Sequence, residues 1–253
     1  MAQKSKGKGQ GTGSSGAGDG DLDLSRVSSM RRVAVHVKAR KNRTESSRKW
    51  LQRHFNDPYV TAAWKEGYRS RAAYKLRQLD EQFKLIRPNM RVVDLGAAPG
   101  GWSQVVAKVI GAKGKLVALD ILPIDPIPGV DIIHMDFLAE EAPDQLKSVL
   151  GGPADLVLSD LAPSSTGHPR TDHIRIMEMT ELAAQFAMEV LVPGGAFVCK
   201  FFQGGAEKTL LDKLKQNFSK VKHAKPAASR AESSETYLVA TGFGKPEAVK
   251  RKN

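Results

Sequence analysis

The sequence predicts a doubly wound α/β fold with a mostly parallel sheet of seven strands, entered through N-terminal helices. Three observations carry that reading. From Arg91 onward, short apolar runs alternate with amphipathic helical patterns. The runs, such as ADLVLSD and AFVCKFF, are apolar nearly throughout, as in strands covered by helices on both faces. Acidic residues recur just beyond their carboxyl ends, where open α/β sheets bind ligands.

The chain has 253 residues, enough for one such domain and an extension. Residues 1–45 read as a disordered basic extension, 46–245 as the folded domain and 246–253 as a basic tail. Residues 1–50 hold 12 Lys or Arg against four Asp or Glu, most of the net charge of +12, which suits a polyanionic partner such as nucleic acid. The arginines of residues 26–45 resemble a transit peptide in content, but they follow a Gly-rich stretch carrying Asp19, Asp21 and Asp23. No apolar run reaches the roughly 18 residues needed to span a bilayer, so no membrane role is expected. The single cysteine, Cys199, has no internal disulfide partner and fits a reducing, cytoplasmic setting. The six histidines show no zinc-site spacing, and no metal is expected.

Helical patterns come first: SSRKWLQRHF, PYVTAAWKEG closed by Gly67, and SRAAYKLRQLDEQFKLI ended by Pro88. On the third, Ala72, Leu76, Leu79, Phe83 and Ile86 form an apolar stripe with Lys75 at its edge, away from the solvated face of Arg77, Asp80, Glu81 and Lys84. Strands are expected at RVVDLG, KLVALDI, DIIHMDF, ADLVLSD, AFVCKFF, KVKHAK and TYLVATGF. Helices are expected at GWSQVVAKVI, DQLKSVL, RIMEMTELAAQFAMEVL and EKTLLDKLKQNF. A short connection joins the last two strands, so the final pairing is expected to be antiparallel. SSTGHPRTDH, residues 164–173, reads as a mobile loop beside Asp160.

After the first strand comes Asp94-Leu95-Gly96-Ala97-Ala98-Pro99-Gly100-Gly101-Trp102, a glycine turn leading into a helix. It departs from the dinucleotide fingerprint. Ala98 blocks the close approach of a pyrophosphate, Pro99 lacks an N–H, and Asp94 repels phosphate but attracts an ammonium group. Asp120 follows the second strand, placed to accept from a ribose diol; Asp136 follows the third, placed for an adenine amino group; Asp160 follows the fourth. Carboxylates are rarely buried without a partner or ligand, so this series points to a cationic, amino-acid-bearing nucleoside: S-adenosyl-L-methionine.

In GGAFVCKFFQG, Lys200 stands among Phe197, Val198, Cys199, Phe201 and Phe202. An ammonium in that setting is expected to be desolvated and its pKa lowered towards neutrality, which makes a lysine able to accept a proton.

The segments SSRKWLQRHFNDPYV, GYRSRAAYKL, VVDLGAAPGGWSQV, LVLSDLAP, LVPGGAFVCKFFQG and SRAESSETYLVATGF, in this order, resemble the FtsJ-type family of large-subunit ribosomal RNA uridine 2′-O-methyltransferases. The resemblance covers residues 46–245 and implies a Rossmann-like, S-adenosylmethionine-dependent methyltransferase domain. It implies a Lys-Asp-Lys-Glu tetrad at Lys75, Asp160, Lys200 and Glu235, with Lys200 as proton acceptor, and cofactor contacts at Gly100, Trp102, Asp120, Asp136 and Asp160. Asp94 and Gly96 join the cofactor set from the reading of the turn. The implied substrate is 23S ribosomal RNA within the large subunit, modified by a monomeric enzyme. The extension before Ser46 is longer and richer in glycine than the family pattern.

For RNA contact, Arg69, Arg71, Lys225 and Arg230 are candidates for phosphates, and Tyr68, Tyr74 and Tyr237 for stacking on a splayed base. Two alternatives stay open at this stage: the same chemistry on tRNA or an mRNA cap, and a non-catalytic ribosome-assembly factor. The second gives Lys75 and Lys200 no reason to sit in apolar surroundings.

Overall fold

The computed structural model describes residues 45, 51–52, 55–163, 166–202, 207–231 and 233–244. The basic extension, most of the SSRKWLQRHF helix and the C-terminal tail lie outside them.

Two short helices, Pro58–Lys65 and Ala72–Phe83, precede the first strand among the described residues. Helix α1, Pro58–Lys65, is capped by Asp57, whose carboxylate accepts from the Tyr59 N–H at 3.0 Å, with Pro58 in the first turn where no donor is needed. Helix α2, Ala72–Phe83, stops three residues before the stripe in the sequence does. Lys84 turns left-handed at φ 55°, and the Ile86 N–H donates to Asp80 Oδ1 at 2.7 Å, so Leu85 and Ile86 enter the core from outside the helix.

Then follow β1 (Arg91–Leu95), α3 (Gly101–Ile110), β2 (Lys115–Asp120), β3 (Asp131–His134), α4 (Ala142–Leu150), β4 (Ala154–Ser159), α5 (Pro169–Val190), β5 (Leu191–Phe202), α6 (Glu207–Asn217), β6 (Phe218–Ala224) and β7 (Glu235–Phe243). The sheet has seven strands in the order β3-β2-β1-β4-β5-β7-β6. β7 is inserted antiparallel between β5 and β6, and the other pairings are parallel. Two local expectations change. The stretch from Pro169 to His173, read as loop, is the first turn and more of α5, with Pro169 opening the helix. β5 begins at Leu191 and runs through Pro193 and Gly194, residues that signal a turn, with a register shift opposite Ala154 and Leu156.

Two core layers flank the sheet, and strand alternation decides which residue faces which. Val92, Leu116, Leu156, Leu158, Val198 and Val239 face α1, α2 and α3. Val93, Val117, Val157, Phe197, Cys199, Phe201 and Leu238 face α4, α5 and α6. Continued past the carboxyl ends, the first set of rows leads to Asp94, Asp120, Asp160 and Lys200, and on β7 back to Tyr237 and Glu235. One sheet face thus delivers the whole series to one edge. Among the described residues no helix is long and apolar enough to cross a membrane.

Candidate active site

The environment of Lys200 differs from the sequence expectation. Phe197, Cys199 and Phe201 belong to the opposite layer, so they do not surround the ammonium group. Lys200 is 8% exposed, but its Nζ lies 2.7 Å from the Asp160 carbonyl oxygen and 3.2 Å from Asp160 Oδ1. Its seat is made of oxygen acceptors, and Phe197, Cys199 and Phe201 fill core on the far side of the sheet.

On β7, Tyr237 pairs across from Lys200, and Glu235 across from Phe202. Lys75 reaches this face from α2, its Nζ 2.6 Å from Glu235 Oε1. The four side chains of the sequence tetrad therefore form two ion pairs, Lys75 with Glu235 and Lys200 with Asp160. The Tyr237 hydroxyl joins them, 3.2 Å from Asp160 Oδ1, 3.2 Å from Glu235 Oε1 and 3.3 Å from Lys75 Nζ. A phenol has one proton, so it serves one carboxylate at a time while accepting from Lys75. Tyr237 is 0% exposed and packs against Trp102 with ring centroids 5.6 Å apart. Burial, then the charges of Asp160 and Glu235, raise its pKa well above the usual value, which keeps the phenol protonated. Burial pushes the Glu235 carboxyl up, but Lys75, by charge and hydrogen bond, together with the charge of Lys200 and the Ser229 hydrogen bond, outweighs it and leaves the group below its ordinary value. Ser229 Oγ adds a hydrogen bond to Glu235 Oε1 at 3.1 Å.

The glycine turn is built differently. Gly96 and Ala97 donate backbone N–H groups to the Leu119 carbonyl, and Asp120 accepts from Ala98 N–H and Leu122 N–H, each at 2.8 Å. A Cβ on Gly96, at φ 74°, would stand 2.8 Å from the Leu161 backbone nitrogen, so only glycine fits that crossing beside Asp160. Asp94 is fully buried; its Oδ2 accepts from Ser103 Oγ at 2.6 Å, and its Oδ1 has no partner. Burial raises the Asp94 pKa to about 7, against the Ser103 hydrogen bond and with help from the charges of Asp160 and Asp120. Asp136 is exposed, its Oδ1 accepting from the Leu138 N–H at 2.9 Å, next to Met135, whose N–H donates to the Asp120 carbonyl at 3.0 Å. Trp102 is buried and donates from Nε1 to the Ala72 carbonyl at 2.8 Å, fastening α3 to the start of α2.

The model of the FtsJ-like methyltransferase family matches residues 68–243, which takes in the glycine turn and both lysine–carboxylate pairs. The chain belongs to this family. It is 60% identical over 218 residues to Ribosomal RNA large subunit methyltransferase E of Paramagnetospirillum magneticum, covering 84% of this chain and 89% of that one. Its identity to the protein of the same name from Xanthobacter autotrophicus is 58% over 216 residues, 84% of this chain and 85% of that one. A crystal structure named as a ribosomal RNA methyltransferase of Plasmodium falciparum superposes with a TM-score of 0.61 at 30% identity, covering 70% of this chain and 98% of that one.

As a member of the FtsJ-like family, the chain is a methyltransferase, and the residues read as RNA contacts take other places in its structure. Tyr68, Tyr74 and Tyr237 are all buried, so none offers a face for base stacking. Arg71 donates to Asp57 and to the Ala228 carbonyl. Lys225 donates to the carbonyls of Ala231 at 3.1 Å and Ser233 at 2.8 Å. Arg230 lies 3.9 Å from Asp57. The participants absent from the sequence reading are Tyr237 in its bridging position, Ser103 and Ser229. The first was legible in principle: in a strand, a residue two positions from Glu235 shares its face.

Proposed function

We propose that this methyltransferase moves a methyl group from S-adenosyl-L-methionine to the ribose 2′-hydroxyl of a uridine in 23S ribosomal RNA of the large subunit, in the cytoplasm. The observation that carries this is the pair of partly buried lysine–carboxylate bridges joined by the Tyr237 hydroxyl, next to a turn with a surplus of carboxylate. The names of the two bacterial relatives, at 60% and 58% identity, support the substrate class.

The residues present fit the cofactor. Asp94 Oδ1 is a buried acceptor without a donor, and among the described residues Asp94, Asp120 and Asp136 have no recorded ion pair. A ligand bearing an ammonium, a sulfonium and a ribose diol answers that imbalance. Asp120 and Asp136 would hold the nucleoside, and the Asp94–Gly96 turn the amino-acid end. When bound, S-adenosylmethionine supplies an electrophilic methyl whose leaving group needs no acid.

What remains for the chain is to align a weak nucleophile and take its proton. Lys200 Nζ would take the proton that the 2′-hydroxyl gives up on methylation. Asp160 fixes Nζ through both its carbonyl and its carboxylate, while Lys75 and Glu235 hold the second half of the network and position the ribose. The basic segment of residues 1–45 adds nonspecific attraction to RNA.

The test is transfer of labelled methyl to large subunits from cells lacking the protein, beside purified tRNA and capped mRNA. Label on a 2′-oxygen of large-subunit RNA alone is the expected result. Transfer to tRNA or cap alone, or to none of the three, overturns the proposal.

A further inference from the structure

Among the described residues, the Arg69 guanidinium donates to backbone carbonyls from two separate segments. Nη1 donates to Pro99 O at 3.1 Å and to Asp125 O at 2.7 Å, and Nη2 donates to Pro126 O at 2.9 Å. Pro99 belongs to the glycine turn; Asp125 and Pro126 belong to the connection between β2 and β3. Both segments leave from Asp120, one through its Ala98 N–H bond and the other through its Leu122 N–H bond.

Arg69 is itself anchored. Its backbone N–H donates to Gln104 Oε1 at 2.8 Å, and Gln104 Nε2 donates to the Gly67 carbonyl at 3.0 Å, so the arginine is referenced to α3. The connection it grips, ILPIDPIPGV, has no regular structure and three prolines, so it is short of backbone donors to fasten itself. Space at Gly100 points the same way. A Cβ there would stand 2.6 Å from Ile127 Cδ1 and 3.0 Å from Arg69 Nη1, so the bare glycine accommodates the closed connection.

We propose that Arg69 is a positioning residue for cofactor binding: it clips the β2–β3 connection onto the glycine turn, and so sets the wall that carries Asp120. A guanidinium suits the task because its rigid planar fork presents its donors in one preorganised geometry, whereas an ammonium is a point charge on a flexible stem. The inference rests on the reading of the Asp120 end as the cofactor seat, and it replaces the expectation that Arg69 neutralises an RNA phosphate.

The test compares wild type, Arg69→Ala and Arg69→Lys in full-length protein. Three quantities are measured: S-adenosylmethionine affinity by calorimetry, amide hydrogen exchange, and the dependence of large-subunit RNA affinity on salt. Loss of charge-assisted hydrogen bonds should weaken cofactor binding by about tenfold or more in Arg69→Ala, with a smaller loss in Arg69→Lys. Exchange should speed up across residues 121–130 while the sheet stays protected, and the salt slope should be unchanged.

The clip is overturned if cofactor affinity and exchange stay at wild-type values. A salt slope lowered by about one unit would then assign Arg69 to a phosphate. Arg69→Lys keeps the stem and the charge, so it reports even if Arg69→Ala fails to fold. A wild-type protein that binds no S-adenosylmethionine would overturn the cofactor reading and the clip with it, an outcome distinct from equal binding by wild type and variants.

Discussion

The two halves of the sheet's carboxyl edge handle charge in opposite ways. Beyond β4, β5 and β7 each carboxylate faces a lysine: Asp160 with Lys200, Glu235 with Lys75. Beyond β1 and β2 the carboxylates meet only a hydroxyl and backbone N–H groups, and Asp94 Oδ1 meets nothing. The contrast shows in their titration, since Glu235 is pulled below its ordinary pKa while Asp94 is pushed up to about 7. A charge-balanced half suits proton handling beside RNA. An acid-rich half suits a cationic ligand that the protein does not itself provide.

If the division is real, variants should separate by readout. The largest effect is expected for Lys200→Ala, which removes the proton acceptor and leaves the half-buried Asp160 without its cation. Methyl transfer should fall by about 10²- to 10⁴-fold, measured in single turnover. Lys200→Arg should fall comparably, because a guanidinium keeps the charge but does not deprotonate. Near-wild-type transfer by either variant would remove Lys200 from the base role.

Next is Asp120→Asn in the acid-rich half, which weakens acceptors for Ala98 N–H, Leu122 N–H and the proposed ribose diol. Cofactor affinity should drop by about tenfold or more, while turnover at saturating cofactor changes little. A loss of turnover with intact affinity would contradict the division.

Asp94 offers a test by pH. Its folded value of about 7 stands above the 3.8 of an ordinary aspartate, so between those limits the native state holds a proton that the unfolded chain has released. The stability it contributes is full below about pH 4 and is lost as pH rises through 7, an effect on the order of a few kcal/mol. In the cofactor-free protein, the melting temperature of Asp94→Asn should therefore gain on wild type as pH rises from 5 to 8. Parallel profiles would show that Asp94 titrates normally.

The smallest effect is expected for Tyr237→Phe, which keeps the ring on Trp102 and removes the bridge between the two ion pairs. A hydrogen bond from a phenol to a carboxylate, shared here at 3.2 Å between two of them, corresponds to about a tenfold loss of methyl transfer, with cofactor affinity unaffected. A loss as large as that of Lys200→Ala would make the phenol a direct participant.

Much of the edge was legible in the sequence because strand alternation and the sheet's ligand-binding end are local rules. Asp94, Asp120 and Asp160 could be placed from the ends of apolar runs alone. The surroundings of Lys200 could not, because a continuous apolar run conceals which neighbours share its face, and here Phe197, Cys199 and Phe201 face the other way. Glu235 takes its place only through the antiparallel register that sets it beside β5, and Lys75 reaches it from a helix 160 residues earlier. The partners of Arg69 and Arg71 were hidden for the same reason: backbone carbonyls leave no mark on the sequence.

The separation of the two halves is tested most directly by the affinity of the Lys200→Ala variant for S-adenosylmethionine, measured by calorimetry without RNA. The account predicts a dissociation constant within about twofold of wild type, since the cofactor's proposed seat lies in the other half. A loss of about tenfold or more would mean that Lys200 holds the cofactor, and that the edge works as one undivided site.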